Sequence, residues 1–428
     1  MKTKLIQSTL LLFVIAFIAK LLSFMIKLQL ANSMNTQTME LYTLSSSTML
    51  FLITFVQAGL PTTLNTLIAK NKNTITILQN SIFISFITNI IAISIYVFAS
   101  PFLTNNQLQH QQIPVLLSII PLLPLITISG LCKGYCLGKQ NIIIANSSNI
   151  TEEIIRMLFL ILCYPYIQHS PTLYASFAIL SIAVGEIGAI LHIVCCLKLT
   201  KRYKQLFIKN HISKIQIKEL LSYSIYMSAS RFIGSLTHFI EPLLFTIPIY
   251  STIQPQLVTT FTQIHAYVLP IITLPAFLTF ALSSWLLSSL SYHLSHNNKK
   301  QAKKILTYVL TISLSIGLIN GIINYLFSIE ITTLFYHNSQ SANLLKQLAI
   351  PFIFFTLQTP LSTTLHAYNK SKYAIYDSFI GNVMKLLLMT ILPAYIQEQA
   401  LIYALIISML VTTTLHAYHI FPLFHNQP

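Results

Sequence analysis

The chain has 428 residues, 54% of them hydrophobic and 8% charged, and its mean hydropathy is +0.70. Apolar runs of near-spanning length succeed one another along its whole length, which excludes an ordinary soluble domain. The formal net charge of +16 would suit a nucleic-acid binder if the basic residues shared one face, but they fall in alternate connections between apolar runs, so no nucleic-acid partner is expected.

A bilayer core of ~30 Å takes ~20 helical residues, and twelve such segments are predicted in chain order. The first, 5–27, follows "MKTKL"; no small-residue cleavage site comes after it, so it reads as a retained helix and not as a signal peptide. Segments 41–69, 75–100, 113–131, 141–163 and 173–197 complete a first set of six. The basic stretch "KLTKRYKQLFIKNHISKIQIK", Lys198 to Lys218, separates them from 220–246, 258–287, 305–329, 344–366, 375–395 and 401–422. The expected fold class is an all-α polytopic membrane protein, with a six-helix lobe at 1–197, a basic cytoplasmic linker at 198–219 and a second six-helix lobe at 220–428.

Cations mark every second connection: Lys2 and Lys4, Lys70 and Lys72, Lys133 and Lys139, the linker, Lys299 to Lys304, and Lys370 with Lys372. The intervening connections hold Glu40, Glu330 and Glu398 instead. This asymmetry predicts both termini in the cytoplasm and an even helix count. The basic loops also suit contact with anionic membrane lipids.

The two halves echo each other. Segment four runs from "IPVLLSIIPLLPL" to "KGYCLGKQN" and segment ten from "IPFIFFTLQTPL" to "AYNKSKYA". Segments five and eleven each carry one cation in an apolar run, Arg156 in "IIRMLFLIL" and Lys385 in "VMKLLLMTIL". Such matches suggest duplicated lobes related by an axis along the membrane normal. A second repetition, "TTLHAY" at Thr363–Tyr368 and at Thr413–Tyr418, joins segments that are not equivalents and reads as local compositional bias.

Six cations lie outside the connections: Lys20, Lys27, Arg156, Arg231, Lys346 and Lys385. Lys346 and Lys27 are near enough to a helix end to snorkel, which leaves four well inside segments one, five, seven and eleven. A charge at the bilayer centre costs ~2.5–3.5 kcal/mol on insertion scales, so each needs a reason. Acidic residues at similar depth are Glu152, Glu153, Glu186 and Glu241. Glu152 and Glu153 lie four and three residues before Arg156, so both are expected to reach its guanidinium on one helix face. The chemistry this pattern favours is a hydrated cavity between lobes, with cations awaiting an anionic substrate and carboxylates balancing them when it is empty. A plain interhelical salt-bridge network is the alternative.

Other signals are softer. His192, His238, His265 and His366 read as polar helix contacts before proton carriers, and Pro61, Pro121, Pro124, Pro270 and Pro275 as helix bends. Cys132 and Cys136 share a helix face, but two ligands make no zinc site, so no metal is expected. No Walker A loop, GxSxG or HExxH is present, so neither an enzyme nor an ATP-driven pump is expected.

Several stretches carry a family resemblance. "KLLSFMIKLQL", "MELYTL" and "FVQAGLPTTLNTLIAK" resemble the first two helices of the stage V sporulation protein B group, a branch of the MATE-like MOP flippase superfamily that includes the lipid II flippases. "GKQNIIIANSSNITEEIIRM" is similar to its fifth helix, "GEIGAIL" to its sixth, and "SRFIGSLTHFIE", with Arg231 and Glu241, to its seventh. The eighth, tenth and eleventh follow in "LPIITLPAFLTFALSSWLLSSLS" and "IPFIFFTLQTPLSTTLHAYNKSKYAIYDSFIGNVMKLLL".

The resemblance implies a two-lobed transporter that moves an undecaprenyl-pyrophosphate-linked saccharide or lipid II-like peptidoglycan precursor between leaflets of the bacterial cytoplasmic membrane by alternating access. The site it implies has Lys20, Lys27, Arg156, Arg231 and Lys385 on the diphosphate. Glu152, Glu153, Glu186 and Glu241 act as charge-balancing or coupling groups. No cofactor is implied; coupling to H+, Na+ or the membrane potential stays open, as does partnership with cell-wall synthesis enzymes. The family usually has two further C-terminal helices and a glycine-rich first external loop, where this chain has twelve segments and "ANSMNTQTMELY". A cation-coupled MATE-type drug exporter and a non-transporting membrane scaffold remain alternatives. Five basic against four acidic site residues favour an anionic ligand over the exporter.

Overall fold

A computed structural model describes residues 2–69, 74–103, 109–199, 214–245, 252–296, 298–337 and 339–422. Lys70, Lys72 and residues 200–213 of the basic linker lie outside that set. The chain forms two compact units, Met1–Phe239 and Ile240–Pro428. Both are helical, as expected. The lobes 1–197 and 220–428 are a division by membrane topology, which compactness does not measure.

The first unit contains α1 (Lys2–Ser33), α2 (Thr36–Gln57), α3 (Leu60–Ala69), α4 (Thr74–Ala99), α5 (Gln109–Leu117), α6 (Leu122–Gly138), α7 (Ile142–Ile167), α8 (Pro171–Leu199) and most of α9 (Lys214–Leu244). The second segment is thus two helices. The break is at Ala58 (φ 43°) and Gly59 (φ 71°), where the chain turns left-handed, and Pro61 stands in the first turn of α3, where its missing N–H costs nothing. The other expected bends behave alike: Pro121 precedes α6, Pro124 is in its first turn, Pro270 opens a short helix and Pro275 precedes the next. At these positions proline starts a helix, because its fixed φ suits a first turn, and the break between α11 and α12 at Pro275 bends that span by 60°; Pro114, Pro165, Pro242 and Pro360 lie inside helices.

Apolar faces of α2, α4, α5, α6 and α8 meet in one core around Leu41, Val56, Leu116, Leu122 and Ile179. The stretch "GLCKGYCLG" places Gly130, Gly134 and Gly138 four residues apart, and α3 lies against them, Pro61 on the first two and Ile68 on the third. Small residues at this spacing let two helix backbones approach. A Cβ at Gly134 would fall 2.5 Å from the carbonyl oxygen of Pro61. Gly134→Val therefore overpacks the α3–α6 contact and costs about 1–3 kcal/mol, read as a lowered thermal midpoint in detergent; an unchanged midpoint would contradict the close crossing.

The second unit follows with α10 (Gln254–Thr262), a π-helical turn over Gln263–Val268, α11 (Leu269–Ile272), α12 (Ala276–Ser295), α13 (Lys299–Leu326), α14 (Ser328–Tyr336), α15 (Ala342–Ala349), α16 (Phe355–Ala367), α17 (Ser371–Ile391), α18 (Pro393–Ile396) and α19 (Gln399–Ile420). Its core joins α12, α13, α16, α17 and α19 through Leu286, Leu290, Leu306, Leu365, Ala374 and Ile420. Segment ten is bent by 56° between α15 and α16.

Among the described residues 8 helices are long and apolar enough to cross a membrane, or up to 10 if each bent pair is one span. The two expected segments outside that set are α7 and α9, which carry Glu152, Glu153 and Arg156 and Arg231 and Glu241. Their length suits a span; their charge is what separates them from the rest.

Candidate functional site

In the first unit the charges assemble on three neighbouring helices. On α7, Glu153 and Arg156 stand one turn apart and pair at 3.7 Å from Oε2 to Nη1. Arg156 Nε donates to Ser181 Oγ of α8 at 3.2 Å. Glu152 does not share this guanidinium, contrary to expectation. Its Oε2 accepts from Lys133 Nζ of α6 at 2.7 Å, and that ammonium lies 3.5 Å from Glu186 Oε2 of α8. A lysine on another helix thus takes Glu152 from Arg156 and links it to Glu186.

Lys133 is the residue that sequence reasoning missed. It was expected in the connection after segment four, whereas α6 continues to Gly138 and holds it inside the helix. Two signals were available: Glu186 had no partner, and "GLCKGYCLG" contains no proline to end the helix.

Lys20 and Lys27 are seven residues apart on α1, hence on one face, and α1 lies along α7. The charges acting on Lys27 are those of Lys20, Arg156 and Glu153, so three cations and one carboxylate share a neighbourhood. Both lysines are exposed on the protein surface. Among the described residues neither has an acidic side chain within the 4.0 Å of an ion pair. Arg231, exposed on α9, meets the start of α3 instead, with Nη2 3.5 Å from Thr62 Oγ1. Among the described residues Glu152 and Glu186 pair with Lys133 and Glu153 with Arg156.

The second unit holds a separate pair. Glu241, 1% exposed in the last turn of α9, accepts from Lys385 Nζ of α17 at 2.5 Å. His265 Nε2, in the π-helical turn, lies 3.6 Å from the other carboxylate oxygen. The structure thus joins two residues singled out from sequence and adds a histidine to them. Lys346 lies over the Tyr325 ring at 5.1 Å, exposed, as a snorkelling lysine would. His192 is held on both ring nitrogens, by Ser147 and Thr151 at 2.9 Å each, which makes it a helix contact. His238 lies 3.4 Å from Ser47 and His366 2.9 Å from Ser371.

Comparison with known proteins bears on the family and the fold. Residues 5–253 match the family model described as polysaccharide biosynthesis protein, and residues 261–391 match the MatE model. The chain is 26% identical to stage V sporulation protein B of Bacillus subtilis (strain 168), covering 97% of this chain and 83% of that one. In fold it is similar to the lipid II flippase MurJ in an inward closed conformation, with a TM-score of 0.74 at 14% identity over 96% of this chain and 87% of that one. It is also similar to a multidrug resistance MATE transporter of the MOP superfamily in an inward-facing conformation, with a TM-score of 0.72 at 14% identity over 94% and 93%.

Proposed function

The chain belongs to the polysaccharide biosynthesis protein family, within the MATE-like MOP flippases, and from that premise we propose that this multi-pass membrane transporter moves an undecaprenyl-pyrophosphate-linked saccharide or peptidoglycan precursor from the inner to the outer leaflet of the bacterial cytoplasmic membrane by alternating access. The observation that carries the reading is the pair Lys20 and Lys27 on α1, exposed and without an acidic partner among the described residues, beside the Arg156–Glu153 pair.

Cations left unpaired within a span are costly unless they face water or an anion. A diphosphate offers several oxygens to ammonium groups and a bidentate edge to a guanidinium. On this reading Glu153 holds Arg156 in the empty state and yields it to diphosphate, while Lys133, held by Glu152 and Glu186, fixes α6, α7 and α8 in register. The prenyl tail stays in lipid and the headgroup crosses with no bond made or broken.

The test is reconstitution into liposomes with a fluorescent undecaprenyl-diphosphate saccharide and a membrane-impermeant quencher. Protein-dependent exchange of the label between leaflets is expected. Export of a lipophilic cationic dye with no movement of the labelled lipid would replace this reading with the drug exporter, and movement of neither would point to a scaffold.

A further inference from the structure

The chain contains one aspartate, Asp377, and it is fully buried, 0% exposed, on α17. Two imidazoles from α19 close on it. His416 Nδ1 lies 2.8 Å from Oδ2, and His419 Nδ1 lies 3.0 Å from the same carboxylate. The two histidines are one turn apart, hence on one face of α19. His366 of α16 is close enough to act electrostatically on His416. The repeated "TTLHAY" stretches, read from sequence as compositional bias, therefore bring their histidines to one place. None of these groups belongs to the diphosphate site.

We propose that Asp377, His416 and His419 form a proton-binding site in which one carboxylate and two imidazoles hold a single exchangeable proton. With both rings neutral and protonated on Nδ1, each donates to the carboxylate and the cluster carries one buried negative charge. A proton added to Nε2 of either ring leaves both hydrogen bonds in place and makes the cluster neutral. The two states thus differ by one proton and by no broken contact. A second proton would add a net positive charge in a desolvated place beside His366, which opposes it.

Access is built in at one end. His416 is 2% exposed but His419 is 25% exposed, so the outer ring can exchange with water and the inner one with the outer through the carboxylate. The groups facing the cluster are His366 from α16, Tyr373 from α17, whose ring is 4.5 Å from that of His419, and Tyr418 from α19. Lys370, at the start of α17, lies over Tyr373. Asp377 and Lys385 are eight residues apart on α17, about 12 Å along one rigid rod, so a proton bound at the first changes the charge on the helix that carries the second. Use of that proton to drive transport rests on the flippase reading; the binding itself does not.

The test is a pH titration of the full chain, ¹⁵N-labelled on histidine, in lipid nanodiscs, with signals assigned by His416→Gln and His419→Gln. In the wild type the two rings are expected to take up one proton between them, and in Asp377→Asn to titrate independently. If Asp377→Asn does not fold, His419→Gln serves alone, with His416 expected to take the full proton. Two rings that each titrate fully in the wild type, or a His416 that shows no titration in either form, would overturn the proposal. So would displacement of the proton by zinc, which would make the cluster a metal site. Because no substrate is used, this result stands apart from the fate of the flippase reading.

Discussion

Lys133→Met destabilises the folded protein by about 3–5 kcal/mol, measured by unfolding in mixed micelles. The lysine is the hub of an ion triad, 2.7 Å from Glu152 and 3.5 Å from Glu186. Glu186 is 5% exposed and Glu152 18%, so removing the ammonium leaves two carboxylates facing each other away from water. The cost comes from the charges left behind and not from the lost attraction, since a buried ion pair replaced whole by neutral groups is often close to neutral in stability. Adding Glu152→Gln and Glu186→Gln to Lys133→Met should therefore recover most of the loss. A single variant as stable as the wild type would mean that water reaches the triad freely and that it does not hold α6, α7 and α8 together.

Lys20→Gln combined with Lys27→Gln abolishes translocation of the diphosphate lipid and leaves the thermal midpoint where it was. Hydrogen bonds to charged groups contribute ~1.5–3 kcal/mol each, so the loss of two amounts to about 100-fold or more in affinity. Stability is spared because neither lysine has an acidic partner to orphan among the described residues, and a neutral amide on a membrane helix is cheaper than a charge. The contrast with Lys133 separates the two classes of intramembrane cation: one kind is matched and structural, the other unmatched and available. A double variant that loses its fold, or one that transports normally, would break that distinction.

Much of this architecture can be read from the sequence because its physics is local. The apolar runs that became α1, α4, α8, α13, α17 and α19 need only length and hydropathy, and Pro61, Pro121, Pro270 and Pro275 stand where helices begin. What escaped depends on which helices touch. Glu152 was expected on Arg156 because i,i+4 spacing is visible in a sequence, but a lysine from another helix competes for it and that neighbour is not. Lys133 was assigned to a connection because a basic residue near a run's end looks like a topology signal; the small residues around it, which let α3 close on α6, were the evidence that the helix went on. Asp377 was not singled out, although a lone aspartate in so apolar a chain is itself a signal. Its two histidines lie on another helix and reach it only once α17 and α19 pack.

The proposed transport depends on recognition of a diphosphate by Lys20 and Lys27 of α1. Equilibrium binding of a short-chain prenyl diphosphate to the purified protein tests it most directly, in the wild type and in Lys20→Gln/Lys27→Gln. Saturable binding to the wild type that weakens about 100-fold in the double variant and falls with added salt is the predicted result. Equal binding by both forms, or preference for a quaternary ammonium ligand over the diphosphate, would contradict the account.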